Sequence, residues 1–417
     1  AIRRQRQMCI RDSRFFPDCD AATRCVANLL SSMNSEGVIT DVVHLVTVRQ
    51  GPPSPDQVIR LGEAFPCFCP GCADHDDFAL ILQQGAFSTV RCLFLKLFQK
   101  LEWKLSPMSR YCGLNETMYR AFLREIRAQL RHRNYDAVIA TLCPAEGALA
   151  AAKAAGTVPF FLYQLDPYTD NLDKLASQRE ARSQLEQQLY QKSKAVFATP
   201  LICESKRASG FPGWEKCRGL EFPLVVPRTT AALRKAPRFL GVFAGTLYPS
   251  IRPADDLVQL AALLQDKPVD FCCLGSGMSY LLKSPFWAPN QSNIRCLGKL
   301  PPQQAEGYVG EADFLINIDN KASNQVPSKI FEYISTGKPI VNLYYDPKSP
   351  SLSYFLRYPQ VLNLLCDPDR VEENAVALWR FVRECRQLHV GAELIEREFF
   401  DATPAAVAHQ MLNAIRG

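Results

Sequence analysis

Apolar residues along this chain alternate between two rhythms. Recurrence every three or four positions predicts helices over Ala21 to Met33, Asn115 to Arg131 and Ala254 to Leu264, with a small-residue helix from Gly147 to Ala155 and a long polar one from Leu172 to Lys192. Short solid or β-branched runs predict buried strands at Val38 to Val48, Asp136 to Thr141, Val158 to Tyr163 and Ala195 to Thr199. The rhythm restarts with strands at Phe239 to Ala244, Asp270 to Leu274, Ile294 to Leu297 and Phe314 to Ile318. Strands that alternate with helices mean parallel sheets, one in each half. The Pro-containing stretch from Phe222 to Pro237 reads as the linker, which gives a first domain over residues 14–228 and a second over residues 229–417, closed by helices up to Ile415. The expected fold is therefore α/β: two Rossmann-like domains whose parallel sheets face each other across a cleft, with ligands at the carboxyl ends of the strands.

In a Rossmann-type half a strand should precede the first helix, and here something else stands in its place. Arg3 to Ser13 (RRQRQMCIRDS) is, letter for letter, one reading frame of a common transposon-based sequencing adapter. Residues 1–13 accordingly read as translated library DNA, Arg14 as the first native residue, and the first, normally central, strand as cut away.

Composition then narrows the function. Arg3, Arg4, Arg6 and Arg11 against Asp12 supply half of the formal net charge of +6, and the 48 Lys and Arg are otherwise nearly balanced by 42 Asp and Glu. No basic field remains that would argue for nucleic acid, whereas a modest positive charge suits an anionic ligand or membrane surface. A chain of 417 residues, 47% hydrophobic and 22% charged, is long enough for two cores. No apolar run approaches the roughly 18 residues of a membrane-spanning helix. Of the sixteen cysteines, several sit in apolar runs such as FCCL (Cys272, Cys273), where thiols pack as small hydrophobes, so the reading is a reducing cytoplasm. Cys67, Cys69, Cys72 and His75 have a spacing that could ligate zinc, although a loop of unpaired cysteines is the commoner use of such a cluster, and no metal site is assigned. The five histidines form no constellation.

The most informative segment is Asn324 to Ile340, NQVPSKIFEYISTGKPI, a loop after a buried strand that runs into a helix opened by Pro327. A proline in the first helical turn is preorganised, Ser328 and the free amides there can donate hydrogen bonds, and Lys329 adds a point charge at the positive end of the helix. That combination suits a phosphate. Glu332, one turn on, cannot help a phosphate but can accept two hydrogen bonds from a ribose diol.

This segment, together with GTLYPSIRPADDL (Gly245 to Leu257), resembles the C-terminal domain of family-four retaining glycosyltransferases, which have the double-Rossmann fold called GT-B. The likeness is densest from Phe239 to Tyr345, is continued by RFFPDCDAATR and the strand after Gly37, and is closest to enzymes that assemble bacterial surface polysaccharides. The resemblance implies that Gly245 and Thr246 form the close-approach turn beside the donor phosphates, and that Arg252 and Lys329 are the cations that stabilise the departing diphosphate. It further implies that Gly275 and Gly277 (LGSG) form the loop after the fourth strand, that Leu300 lies where the nucleobase meets backbone, and that Glu332 is the second Glu of the family's Glu-x7-Glu motif. The first Glu of that motif is replaced by Asn324, an amide that can still hydrogen-bond sugar hydroxyls. The implied chemistry is metal-independent transfer with retention from a nucleoside-diphosphate sugar to a glycan or lipid-linked glycan, dominated by leaving-group stabilisation.

Two further segments carry expectations. Asp166 in LYQLDPYTD follows a buried strand and is the candidate polar group near the reacting centre, while a turn and helix-cap aspartate before Pro167 explains it equally well. Phe87 to Leu105 places Phe94, Leu97, Phe98 and Leu101 on one helical face, interleaved with Arg91, Lys96, Lys100 and Lys104. Such a helix can make peripheral contact with an anionic membrane, but packing on its own domain is the commoner use of the pattern. Two other functions fit the same build: a nucleotide-sugar 2-epimerase, against which stands the lack of an acidic DSGG-like segment, and a non-catalytic glycan-assembly scaffold, which the Asn324 replacement would allow and Arg252 with Lys329 oppose.

Overall fold

The computed structural model describes residues 6–11, 21–46, 63–68, 88–169, 178–228, 236–288, 290–321 and 325–417. The chain divides into two compact units, Ala1–Pro223 with Pro404–Gly417, and Leu224–Thr403. The division falls ahead of the expected Arg228. The last helix also differs from expectation, because it belongs with the first unit rather than closing the second.

The first unit holds a seven-stranded sheet in the order β3-β2-β1-β4-β5-β6-β7, with every recorded pairing parallel. Its strands are β1 (Arg6–Arg11), β2 (Ile39–Val46), β3 (Ala64–Phe68), β4 (Ala137–Thr141), β5 (Phe160–Gln164), β6 (Ala195–Ala198) and β7 (Cys217–Gly219). The central position that sequence reading left vacant is filled, and by the very residues read as adapter: β1 sets Cys9 opposite Val42 of β2 on one side and Ile139 of β4 on the other. A parallel ladder is built from backbone groups, so any short extended segment meets its hydrogen-bonding demand, whatever its origin.

β4, β5 and β6 are buried along their whole lengths, as befits parallel strands covered on both faces. Around this sheet run α1 (Ala21–Ser35), α2 (Ser88–Leu105), α3 (Pro107–Cys112), α4 (Glu116–His132), α5 (Ala145–Ala154), α6 (Arg179–Lys192) and α7 (Pro200–Ala208). In α4, Met118, Ala121, Phe122 and Ile126 recur at helical spacing and are buried, while Asn115 caps the first turn by accepting from the Met118 amide at 2.9 Å. The described part of the expected Leu172 helix is α6; residues 170–177 lie outside the described residues. Gln164, Tyr190, Glu186 and Lys206 form a buried polar network between these helices and β5: the Tyr190 hydroxyl donates to Gln164 at 2.7 Å, Gln164 donates to Glu186 at 2.9 Å, and Lys206 pairs with Glu186 at 2.8 Å.

The second unit repeats the plan with six parallel strands in the order β10-β9-β8-β11-β12-β13. They are β8 (Phe239–Ala244), β9 (Val269–Leu274), β10 (Ile294–Gly298), β11 (Phe314–Ile318), β12 (Ile340–Tyr344) and β13 (Val361–Leu365). The helices are α8 (Asp255–Leu263), α9 (Pro302–Glu311), α10 (Lys329–Ile334), α11 (Ser351–Phe355), α12 (Val371–Glu384) and α13 (Ala392–Glu398). Three asparagines in register, Asn317, Asn342 and Asn363, run across β11, β12 and β13. The Asn317 amide donates to Asn342 at 2.7 Å and Asn342 donates to Asn363 at 2.9 Å, which satisfies polar groups inside the sheet and pins its register. The final helix, α14 (Pro404–Arg416), returns to the first unit and packs along α1, burying Val407, Met411 and Leu412.

Both sheets reverse their direction of growth once, between β1 and β4 and between β8 and β11. Neighbouring loops diverge at such a reversal and leave a crevice at the carboxyl ends of the strands, where open α/β sheets bind ligands. No described helix is long and apolar enough to cross a membrane.

Candidate active site

The reversal in the second unit gathers most of the residues singled out in the sequence. Gly245 and Thr246 leave the end of β8, Gly275 and Gly277 leave β9, and Leu300, half-buried, follows β10. The turns are stacked on one another: the Gly245 amide donates to Leu274 O at 2.9 Å, Leu247 N to Ser276 O at 3.0 Å, and Gly275 N to Gly298 O at 2.8 Å. Gly275 has φ +124°, and a Cβ there would stand 1.9 Å from the Gly245 carbonyl oxygen; at Gly277, φ +77°, a Cβ would stand 2.3 Å from Leu247 O. Glycine is thus required twice over at these positions, by backbone conformation and by space.

The loop after β8 folds back through Tyr248, whose carbonyl accepts from the Arg252 amide at 2.6 Å. Arg252 is thereby turned onto its own loop: one terminal nitrogen donates to Thr246 O at 3.2 Å and the other to Asn320 Oδ1 at 2.9 Å. Its Nε is buried with no hydrogen-bond partner. Burial pulls the guanidinium below the usual arginine value, and the nearby Asp319 opposes that shift. Asp319, immediately after β11, is itself buried; its carboxylate accepts from the hydroxyls of Ser349 and Ser351 and from the Asn320 amide. Burial raises the pKa of Asp319, and those hydroxyl donors counteract it.

The segment that begins at Asn324 is shorter as a helix than its sequence suggests. α10 starts at Lys329 with Ser328 as its N-cap residue, and the half-buried Ser328 side chain makes no capping hydrogen bond. Lys329 and Glu332, expected to serve a phosphate and a ribose separately, here pair with each other at 2.7 Å, with side chains 30% and 11% exposed. Tyr333 joins this helix to the glycine turns. Its buried hydroxyl accepts from Ala244 N at 2.8 Å and lies 3.3 Å from Ala244 O, at the last residue of β8 before Gly245. Pairing of β8 with β11 stops at Val242, so the phenol supplies the partner that the diverging strand no longer offers the Ala244 amide.

Asn324, and with it any contact of its amide, lies outside the described residues, as do Cys69, Cys72 and His75 of the cysteine cluster. Asp166 belongs to the first unit, half-buried in the turn after β5, where its carbonyl accepts from the Gln164 side chain at 3.2 Å. Sequence reading missed Asp319, Asn320, Tyr333, Ser349 and Ser351. The available signal was the polar pair Asp319-Asn320 directly after the apolar run FLINI, a chemistry that a strand end at a reversal can use.

No protein-family model matches the chain, and no curated protein matches it in sequence. Among solved structures it is similar to the lipopolysaccharide outer core galactosyltransferase WaaB, with a TM-score of 0.53, 12% identity and coverage of 99% of each chain. It is also similar to TarM, with a TM-score of 0.64, 9% identity and 99% of each chain covered. A third likeness is to UDP-GlcNAc 2-epimerase from Neisseria meningitidis, with a TM-score of 0.54, 10% identity and coverage of 99% of this chain and 100% of that one. At these identities what is shared is architecture, and the chain accordingly has the GT-B fold, two Rossmann-type units in succession.

Proposed function

We propose that the chain is a glycosyltransferase that moves a sugar from a nucleoside-diphosphate donor to a glycan or lipid-linked glycan, in the assembly of envelope or capsule polysaccharide. The observation that carries this reading is Arg252: a partly desolvated guanidinium, with an unpartnered Nε, at the strand-order reversal of a Rossmann sheet and beside two glycine turns. A partly buried cation without full compensation favours an anion, and a diphosphate on the backbone amides of such turns supplies one. The same reversal suits nucleotides in general, and the Neisseria meningitidis epimerase of like fold is bound to UDP-GlcNAc.

In this reading Gly245, Thr246, Gly275 and Gly277 line the diphosphate, Leu300 meets the base, Ser328 donates to a phosphate oxygen and Glu332 accepts from the ribose. Donor binding would then exchange the Lys329–Glu332 pair, sending Lys329 to the diphosphate and Glu332 to the diol. Partly exposed ion pairs are worth about 0–1 kcal/mol, so the exchange costs little. As the bond from the anomeric carbon to the β-phosphate oxygen breaks, its electron pair leaves with the diphosphate. Arg252 and Lys329 hold the developing charge there; because side chains supply both cations, no metal ion is invoked. The acceptor oxygen forms the new bond with retention, and its proton is lost to the diphosphate or to water. Asn324 is assigned to the donor sugar and Asp166 to the acceptor side. Buried Cys272, Cys273 and Cys385 are reduced thiols without a disulfide, which suits the cytoplasm.

A donor screen with UDP-, GDP- and other nucleotide sugars tests the proposal, with binding read by thermal shift and diphosphate release followed alongside. One donor should stabilise the chain and be hydrolysed slowly, and Arg252→Ala or Lys329→Ala should weaken binding on the order of tenfold to a hundredfold, the worth of a charge-assisted hydrogen bond. Stabilisation by no donor and no diphosphate would sink it. The second reading, 2-epimerisation, rests on the shared fold of the Neisseria meningitidis enzyme. Conversion of a nucleotide sugar into its epimer without an acceptor would put that reading first.

A further inference from the structure

The helix α2 turns its apolar side outward. Its buried residues are Cys92 and Leu95, and Glu102, the only acid of the helix, is drawn to the same side by the Thr117 amide at 2.7 Å. On the opposite face Val90, Leu93, Phe94, Leu97, Leu101 and Leu105 recur every three or four positions and are 66, 63, 65, 57, 47 and 75% exposed. At 1.5 Å per residue the stripe is about 22 Å long. Lys96, Lys100 and Lys104 run along one edge and Arg91 along the other, all exposed, with Trp103 beyond the lysines. Packing on its own domain, the commoner use of this pattern, is therefore not the use made of Phe94, Leu97 and Leu101. Phe98, expected on the same face, is half-buried at its margin.

We propose that this face seats the protein on an anionic bilayer, with α2 lying in the plane of the interface, its stripe at the acyl boundary and its lysines at the level of the lipid phosphates. Charge complementarity selects this occupant. Every exposed charge on the helix is positive, so two copies meeting stripe to stripe would bring only like charges together, the row of lysines and Arg91, which disfavours self-association. A surface of negative headgroups accepts the same charges, and a helix with an apolar face rimmed by basic residues binds such surfaces. The inference does not depend on the transferase reading and is tested without any sugar.

The full chain is sedimented with vesicles of phosphatidylcholine alone and of phosphatidylcholine with phosphatidylglycerol, at low and high salt. Binding to the anionic vesicles is expected, weakened by salt. Lys96→Gln, Lys100→Gln and Lys104→Gln together should lower it by about fivefold per charge removed, without affecting the melting temperature. Leu97→Glu should lower it at least tenfold, while Leu356→Glu, at another exposed apolar position (87% exposed), should leave it unchanged. Failure of the wild type to bind anionic vesicles, or binding indifferent to both the lysine and the Leu97 changes, overturns the proposal. So does a dimer of the wild type in solution that Leu97→Glu dissolves, since the stripe would then belong to a second copy. The lysine variant alters exposed side chains only, and keeps the test valid if Leu97→Glu fails to fold.

Discussion

Replacing Tyr333 by Phe removes one oxygen atom and tests how the second unit is held together. The hydroxyl partners Ala244 N at 2.8 Å, where β8 has parted from β11 and the strand ladder has no acceptor to offer. The ring is 1% exposed and stays in place, so the lost packing is small and the main cost is a buried amide left unsatisfied, about 1–3 kcal/mol. Burial keeps the phenol neutral by raising its pKa, so the bond is present at all ordinary pH values. In a unit spanning Leu224–Thr403 each kcal/mol moves the midpoint by roughly 2–4 °C, so the melting temperature should fall by about 5 °C. Calorimetry or urea unfolding reads the shift, with Tyr280→Phe, on an exposed ring, as the silent control. Since the hydroxyl couples α10 to the turn at Gly245, affinity for a nucleoside diphosphate should fall with stability. A midpoint within 1 °C of wild type would mean that the bond is absent or replaced by water, and would remove the structural link between the Lys329 segment and the glycine turns.

Three further outcomes follow from hydrogen bonds, close approach and a buried ion pair within the two units. Asn342→Ala should cost about 1–3 kcal/mol in urea unfolding by stranding the buried Asn317 amide, whereas Asn363→Ala, at the exposed end of the ladder, should cost under about 1 kcal/mol; equal effects would refute the ladder. Gly275→Ala should abolish soluble expression or donor binding because its Cβ meets Gly245 O, while Gly307→Ala, exposed within α9 with nothing within 4 Å, should stabilise by roughly 0.5–1 kcal/mol in thermal melts. Lys206→Met should destabilise by about 3–5 kcal/mol by leaving Glu186 buried and unpaired, and adding Glu186→Gln should recover most of the loss in the same denaturation assay.

Most strands were legible because parallel strands covered on both faces must be solidly apolar over a few residues: Phe239–Ala244 and Phe314–Ile318 have the bounds their sequence implies. The glycine turns and the Ser328-Lys329-Glu332 segment were legible as chemistry, since φ near +124° and a Cβ excluded by a carbonyl admit glycine alone. What could not be read was how charge is shared when those residues meet. Lys329 and Glu332 neutralise each other, and Arg252 is bridged to Asn320, a residue whose local sequence gives no sign of a partner 68 positions earlier.

Local sequence therefore determined the α/β class through periodicity, the two-part division through the Pro-containing linker, and the place where an anionic ligand would be sought through Ser328 and Lys329 at a helix start, because each follows from near neighbours in the chain. Tertiary structure decided the rest. It set Arg6–Arg11 into the central strand position, carried the last helix back to α1, and turned the stripe of Phe94, Leu97 and Leu101 outward. A hydrophobic pattern states that a face will leave water but not what will cover it, and a backbone ladder accepts extended chain without reading its side chains.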